Sequence, residues 1–104
     1  MIEKITQQLQ KIDTHFRNLS PEWTERERLF SRVVKLNEEV GELCEAILQE
    51  NDSAQRQKDK VIDLDAELAD VLICTLMLAL KRDKNVWQEV DKKLATKLIE
   101  FNLE

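Results

Sequence analysis

A chain of 104 residues supports one domain and one modest core. It is 42% hydrophobic and 36% charged, with one Gly, one Pro, no Tyr and three Phe, and this scarcity of breakers and aromatics predicts an all-α protein. The formal net charge of −5 argues against a nucleic-acid partner met through a broad basic surface, and is compatible with an anion held through a metal ion.

Four helices are readable in chain order. Ile2, Ile5, Leu9, Ile12, Phe16 and Leu19 recur at steps of three and four, so the first helix has one apolar face and ends near residues 18–20. His15, the only histidine, reads as a partly exposed residue at that helix end. Ser20-Pro21-Glu22 then has the chemistry of a helix start: a serine N-cap, proline at the first helical position and an acid in the first turn. A second helix, or a short helix followed by a long one, runs from there to about residue 50. Its apolar stripe is Phe30, Val33, Val34, Leu36, Val40, Leu43 and Ile47, which predicts the buried face.

Residues 49–60, QENDSAQRQKDK, hold no large apolar side chain and read as a polar connector. The third helix is expected over 61–83. Its run VLICTLMLAL (71–80) is apolar almost all round. Ten residues are about half of the ~20 needed to span a bilayer, so the run predicts burial on several sides, part of it by a second subunit, and no membrane association. With no signal-peptide pattern at the N-terminus, a cytoplasmic protein is expected. Cys44 and Cys74 lie in apolar helical settings without any CxxC or Cys/His cluster, and read as buried free thiols. Asn85, with Gln88 three residues on, caps a fourth helix whose buried face would be Val86, Val90, Leu94, Leu98 and Phe101. Trp87 is a structural residue of its first turn. The whole reads as a single-domain four-helix bundle, 1–104, that forms an oligomer, either dimer or tetramer.

The chemistry is carried by acids. Glu39 and Glu42 sit three apart on the second helix, and Glu67 and Asp70 repeat that spacing on the third. Glu38 and Glu45 share a face with Glu42. The stretch between Glu42 and Glu67 is long enough for the chain to turn and return antiparallel, so the two pairs can face each other across a helical hairpin. With 21 acids in 104 residues, isolated pairs of this kind arise by chance and mark solvated faces. Here, however, Asp70 abuts the apolar run and Glu39 and Glu42 flank Val40, where helices pack. Converging carboxylates repel one another and lose hydration, and a divalent cation relieves both costs. All-oxygen ligands select Mg²⁺ or Mn²⁺, with Ca²⁺ less suited. Gly41, inside this helix, costs roughly 1 kcal/mol relative to alanine. Its missing Cβ would admit either a neighbouring helix or a ligand.

KLNEEVGELCEAI (35–47) and ELADVLICTLMLAL (67–80) together resemble the signature of the MazG-like all-α nucleoside triphosphate pyrophosphohydrolases: EExxE, a variable gap, then ExxD. The resemblance covers about residues 29–98. It implies a four-helix MazG-like bundle that hydrolyses an NTP or dNTP to the monophosphate and pyrophosphate with Mg²⁺, Mn²⁺ being a possible substitute, in a house-cleaning or pool-control role. Carried over position by position, it makes Glu39, Glu42, Glu67 and Asp70 metal ligands, and Glu38 the residue that orients or deprotonates the attacking water. It also implies at least a dimer, with the pocket shared between subunits. Family members often carry a basic residue and, four residues on, an asparagine in the last helix. Here Lys93 stands at the first place and Lys97 at the second, both able to reach phosphate or to pair with acids such as Glu89. Trp23 could stack on a base, or simply pack at the start of the second helix. The competing readings are a helical nucleotide- or partner-binding module without turnover, and a plain helical dimerisation domain.

Overall fold

The computed structural model of the chain describes residues 1–51 and 63–103. These form four helices and, among the described residues, no strand: α1 (Ile2–Leu19), α2 (Glu25–Asn51), α3 (Leu64–Ala79) and α4 (Val86–Glu100). Most of the connector expected at 49–60 lies outside the described residues, apart from its first three residues, which continue α2.

The helix ends follow local chemistry. Ser20 closes α1 rather than opening α2, its backbone N–H bonding back to the Phe16 carbonyl at 3.3 Å, and Pro21-Glu22 is a turn. The competing signal is Thr24-x-x-Glu27, a capping box. Thr24 Oγ1 accepts from the Glu27 N–H at 3.1 Å, and Glu27 Oε1 accepts from the Thr24 N–H at 2.9 Å. A reciprocal pair satisfies two orphan donors where Ser20 could satisfy one, so the helix starts later. Asp63 caps α3 by accepting from the Ala66 N–H at 3.1 Å, and Asn85 caps α4 by accepting from the Trp87 N–H at 2.8 Å. At the far end of α4, Asn102 takes a left-handed φ of 56° and the Leu103 N–H reaches the Leu98 carbonyl at 2.8 Å, a Schellman-type stop.

The dominant packing is α2 against α3, with α1 lying on α3. A small core gathers Leu9 of α1 with Leu76 and Met77 of α3, and Ile5, Leu80, Val86 and Trp87 close around it. A charged knot ties the three helices together. Asp13 on α1 is buried, accepts from Arg17 Nε at 3.0 Å and from Arg32 Nη2 of α2, and Arg32 Nη1 donates to the Met77 carbonyl of α3 at 2.7 Å. Burial alone would raise the Asp13 carboxyl pKa, but the hydrogen bonds and charges of Arg32 and Arg17 outweigh it and hold it below the usual aspartate value.

The face that α2 buries is not the apolar stripe. Arg28, Arg32, Lys35, Glu39, Glu42, Ala46 and Gln49 alternate by four and three along one seam. Arg28, Glu39, Ala46 and Gln49 of that seam are buried. Phe30, Val33, Val34, Val40 and Ile47 point to solvent instead, with only Leu36 and Leu43 half-buried. Leu72 and Ile73 of the expected deep helix are exposed too, as are Val90, Leu94 and Leu98 of α4 and Phe101 just after it. Cys44 is exposed and Cys74 half-buried, so the expectation of two buried thiols is corrected: Cys44 falls on the outward side of α2. The Cβ that Gly41 lacks would meet nothing within 4 Å, so within one chain neither a helix nor a side chain needs the space. The radius of gyration is 17.3 Å, against about 13 Å for a compact chain of this length.

Candidate metal centre and adjoining cavity

The α2/α3 pairing brings the two acidic pairs together. Ligand oxygens of Glu38, Glu39 and Glu42 lie within 4.8 Å of one another, and so do those of Glu39, Glu67 and Asp70. Glu39 belongs to both triads. It is the most enclosed member, 7% exposed, and its Oε2 has no hydrogen-bond partner among the described residues. The same is true of Glu67 Oε2, a second buried oxygen without a donor. Repulsion from Glu39, then desolvation and the charge of Glu67, push the Glu42 carboxyl above the usual range. The only cation bonded into this group among the described residues is Lys35, whose Nζ lies 3.1 Å from Glu39 Oε1 and 3.3 Å from Glu38 Oε1. Its ammonium pKa is raised by those two hydrogen bonds.

This donor set fits a hard divalent cation. It offers carboxylate oxygens alone, it spreads them over two helices held in register, and it leaves two buried oxygens unsatisfied, which in a folded protein is a cost that needs a partner. Any ion here would be held by oxygen, without thiolate or imidazole.

A cavity of about 530 Å³ opens beside the acids, with Glu39 and Asp70 on its wall. Ile12, Phe16 and Leu19 of α1 give it an apolar side. Trp23 of the α1–α2 turn, 42% exposed, stands at its edge. Arg28, Arg32 and Lys35 of α2 supply the cationic side. The Arg28 guanidinium is held by the Ser20 carbonyl at 2.6 Å and Ser20 Oγ at 3.3 Å, and Arg32 by Asp13 and Met77. An apolar slot, a row of cations and a carboxylate cluster therefore meet in one concavity.

Of the residues singled out in the sequence, Glu38, Glu39, Glu42, Glu67 and Asp70 converge, and Trp23 lines the adjoining space. Lys93 and Lys97 do not join them within one chain. Both are exposed on α4, and Lys97 pairs with Glu100 at 3.4 Å and lies over the Phe101 ring. Arg28, Arg32 and Lys35 were missed. Their signal was present: they continue Glu39 and Glu42 backwards along the same four-three seam, so one face of α2 changes from basic to acidic along its length.

The sequence matches the MazG nucleotide pyrophosphohydrolase domain over residues 30–101. That span holds α3, α4 and nearly all of α2, and every carboxylate of the cluster. The chain belongs to the MazG family. No curated protein and no solved structure matches it significantly. Both acidic motifs lie within the matched span and meet on the α2/α3 seam. No helix among the described residues is long and apolar enough to cross a membrane.

Proposed function

We propose that this MazG protein is a Mg²⁺-dependent nucleoside triphosphate pyrophosphohydrolase that converts an NTP or dNTP to its monophosphate and pyrophosphate, in nucleotide-pool control or house-cleaning in the cytoplasm. The observation that carries the reading is Glu39: a buried carboxylate with a free oxygen, shared by two carboxylate triads, on the wall of a cavity with apolar and cationic sides. Glu39, Glu42, Glu67 and Asp70 would hold the metal, which when bound neutralises phosphate charge and lowers the pKa of water. Glu38 lies at the solvent edge of its triad, more than half of its side chain accessible, where it can orient a water and take its proton. Trp23 and Phe16 offer ring faces to a base, and the arginines and Lys35 an anionic tail.

Assembly is part of the reading. The outward apolar residues of α2, α3 and α4 give a second copy its surface, and make a homo-oligomer the form in which the core is complete. Lys93 and Lys97 would then serve a pocket shared with that copy, since in one chain they stand on α4 away from the cavity.

The test is pyrophosphate release from a panel of standard and damaged NTPs and dNTPs, with Mg²⁺ and with EDTA. Metal-dependent release leaving the monophosphate is expected. Glu39→Gln and Asp70→Asn each reduce it by at least about a hundredfold, more than loss of an outer-shell partner does, while the helical CD spectrum is retained. Activity retained in both variants refutes the ligand assignment. Silence across the panel from folded protein that binds Mg²⁺ refutes turnover and favours a nucleotide-binding module.

A further inference from the structure

The two triads that share Glu39 are not equivalent. The inner one, Glu39/Glu67/Asp70, holds the unsatisfied oxygen of Glu67 and has no cation bonded to Glu67 or Asp70 among the described residues. The outer one, Glu38/Glu39/Glu42, already has a cation. Lys35 Nζ bridges Glu38 and Glu39 at 3.3 and 3.1 Å from one turn earlier on the same helix. The Lys35 side chain is 56% exposed, so it can withdraw into solvent or towards the cavity that it also lines without disturbing the core. A lysine at this place has a definite effect. An ammonium and a divalent cation cannot share the same two carboxylates without strong repulsion.

We infer that Lys35 is the resident cation of the outer triad, so that a metal ion enters the Glu39/Glu67/Asp70 triad directly but enters the Glu38/Glu39/Glu42 triad only by displacing Lys35. The inference rests on the metal-centre reading above. It makes metal loading sequential, and makes Lys35 a positioning residue that sets the affinity of the second ion. The geometry gives the order: Glu39 Oε2 and Glu67 Oε2 are buried without a partner, whereas Lys35 is bonded to Glu38 and to Glu39 Oε1.

The test is calorimetric titration of the metal-free full-length protein with Mn²⁺, without nucleotide, for wild type, Lys35→Met and Lys35→Arg. Wild type is expected to bind in a tighter and a weaker phase. Lys35→Met tightens the weaker phase about five- to tenfold, the scale of two surface ion pairs removed, and leaves the tighter phase within about twofold. Lys35→Arg, which keeps the charge, stays close to wild type. A second ion seen only in Lys35→Met also supports the inference. It is overturned if Lys35→Met leaves the weaker phase unchanged or weaker, if both phases shift equally as a general field effect would cause, or if wild type and Lys35→Met each bind one ion with the same affinity. An independent readout is the Lys35 side-chain NMR signal, which should move to the position of a solvated lysine as Mg²⁺ fills the weaker phase, and a signal that stays fixed overturns displacement. Absence of any Mn²⁺ binding by wild type overturns the metal-centre reading itself, and the inference with it.

Discussion

Replacing Asp13 by asparagine keeps the shape and removes one charge from the knot that ties α1, α2 and α3. Asp13 is 4% exposed and serves two guanidiniums, Arg17 and Arg32, while the Lys81 ammonium stands 3.9 Å away. Removing one partner of a fully buried ion pair costs about 3–5 kcal/mol. Three observations reduce that figure here. Arg17 keeps Glu25, Arg32 keeps the Met77 carbonyl, and both arginines retain some contact with water, at 25% and 17% exposure. Lys81, 60% exposed, adds little. The expected loss is therefore about 2–3 kcal/mol, or a fall of about 10–20 °C in Tm for a chain of this size. It is read by thermal and urea unfolding of both proteins followed by CD at equal chain concentration, because any self-association would link Tm to concentration. The pH dependence gives an internal control. The folded Asp13 carboxyl lies below its ordinary value of 3.8. Its contribution is therefore complete above that value and fades as pH falls through the native pKa, so wild type and Asp13→Asn should converge in acid below it. A loss under about 0.5 kcal/mol at neutral pH, the range of ordinary surface changes, would refute the view that this knot joins the helices. A gap that persists in acid would instead point to lost packing rather than lost charge.

Two further outcomes are expected. Thr24→Ala removes the acceptor that opens α2 and should lower stability by about 1 kcal/mol, measured by urea unfolding, whereas Ser20→Ala should cost less because Ser20 does not start a helix. In limited alkylation of the single chain at high dilution, where the outward face of α2 is uncovered, followed by peptide mass mapping, Cys44 should be modified first. It is exposed, whereas Cys74 is half-buried and its thiol pKa is pushed up by burial and then by the charge of Glu39. Equal rates at the two thiols would contradict the orientation of α2.

Much of the fold was legible because helix signals are local. The apolar steps of α1 and the Asn85 cap need no tertiary information, and the helices follow them. The start of α2 was misplaced because two cap signals stood four residues apart, and the reciprocal Thr24/Glu27 pair outcompeted a lone serine before proline. The convergence of the acids was legible for a different reason: spacing places residues on one face, and a returning helix brings two faces together. What periodicity cannot supply is which face turns inward. It marked Phe30, Val34 and Val40 as a stripe, and the single chain buries the Arg28–Glu39–Gln49 seam instead. Patterning reports that a face is apolar, but a face can be covered by another copy as well as by another helix. The space beside Gly41 is likewise open within the chain, which leaves it to a helix of another copy or to a ligand.

The inside-out arrangement of α2 has a consequence for how the protein comes into being. The accessible surface is 8679 Å², whereas a compact monomer of this mass would expose about 6,100 Å². On the proposed assembly, part of that surplus is the outward apolar surface of α2, α3 and α4, which a neighbour would cover. Folding and association then become a single event of higher than first order, with a rate and a yield that follow dilution. A newly made chain would keep its oily ridges in water until it meets a sibling. Its half-life as a lone molecule, more than any one contact, would set how little of it a cell can keep.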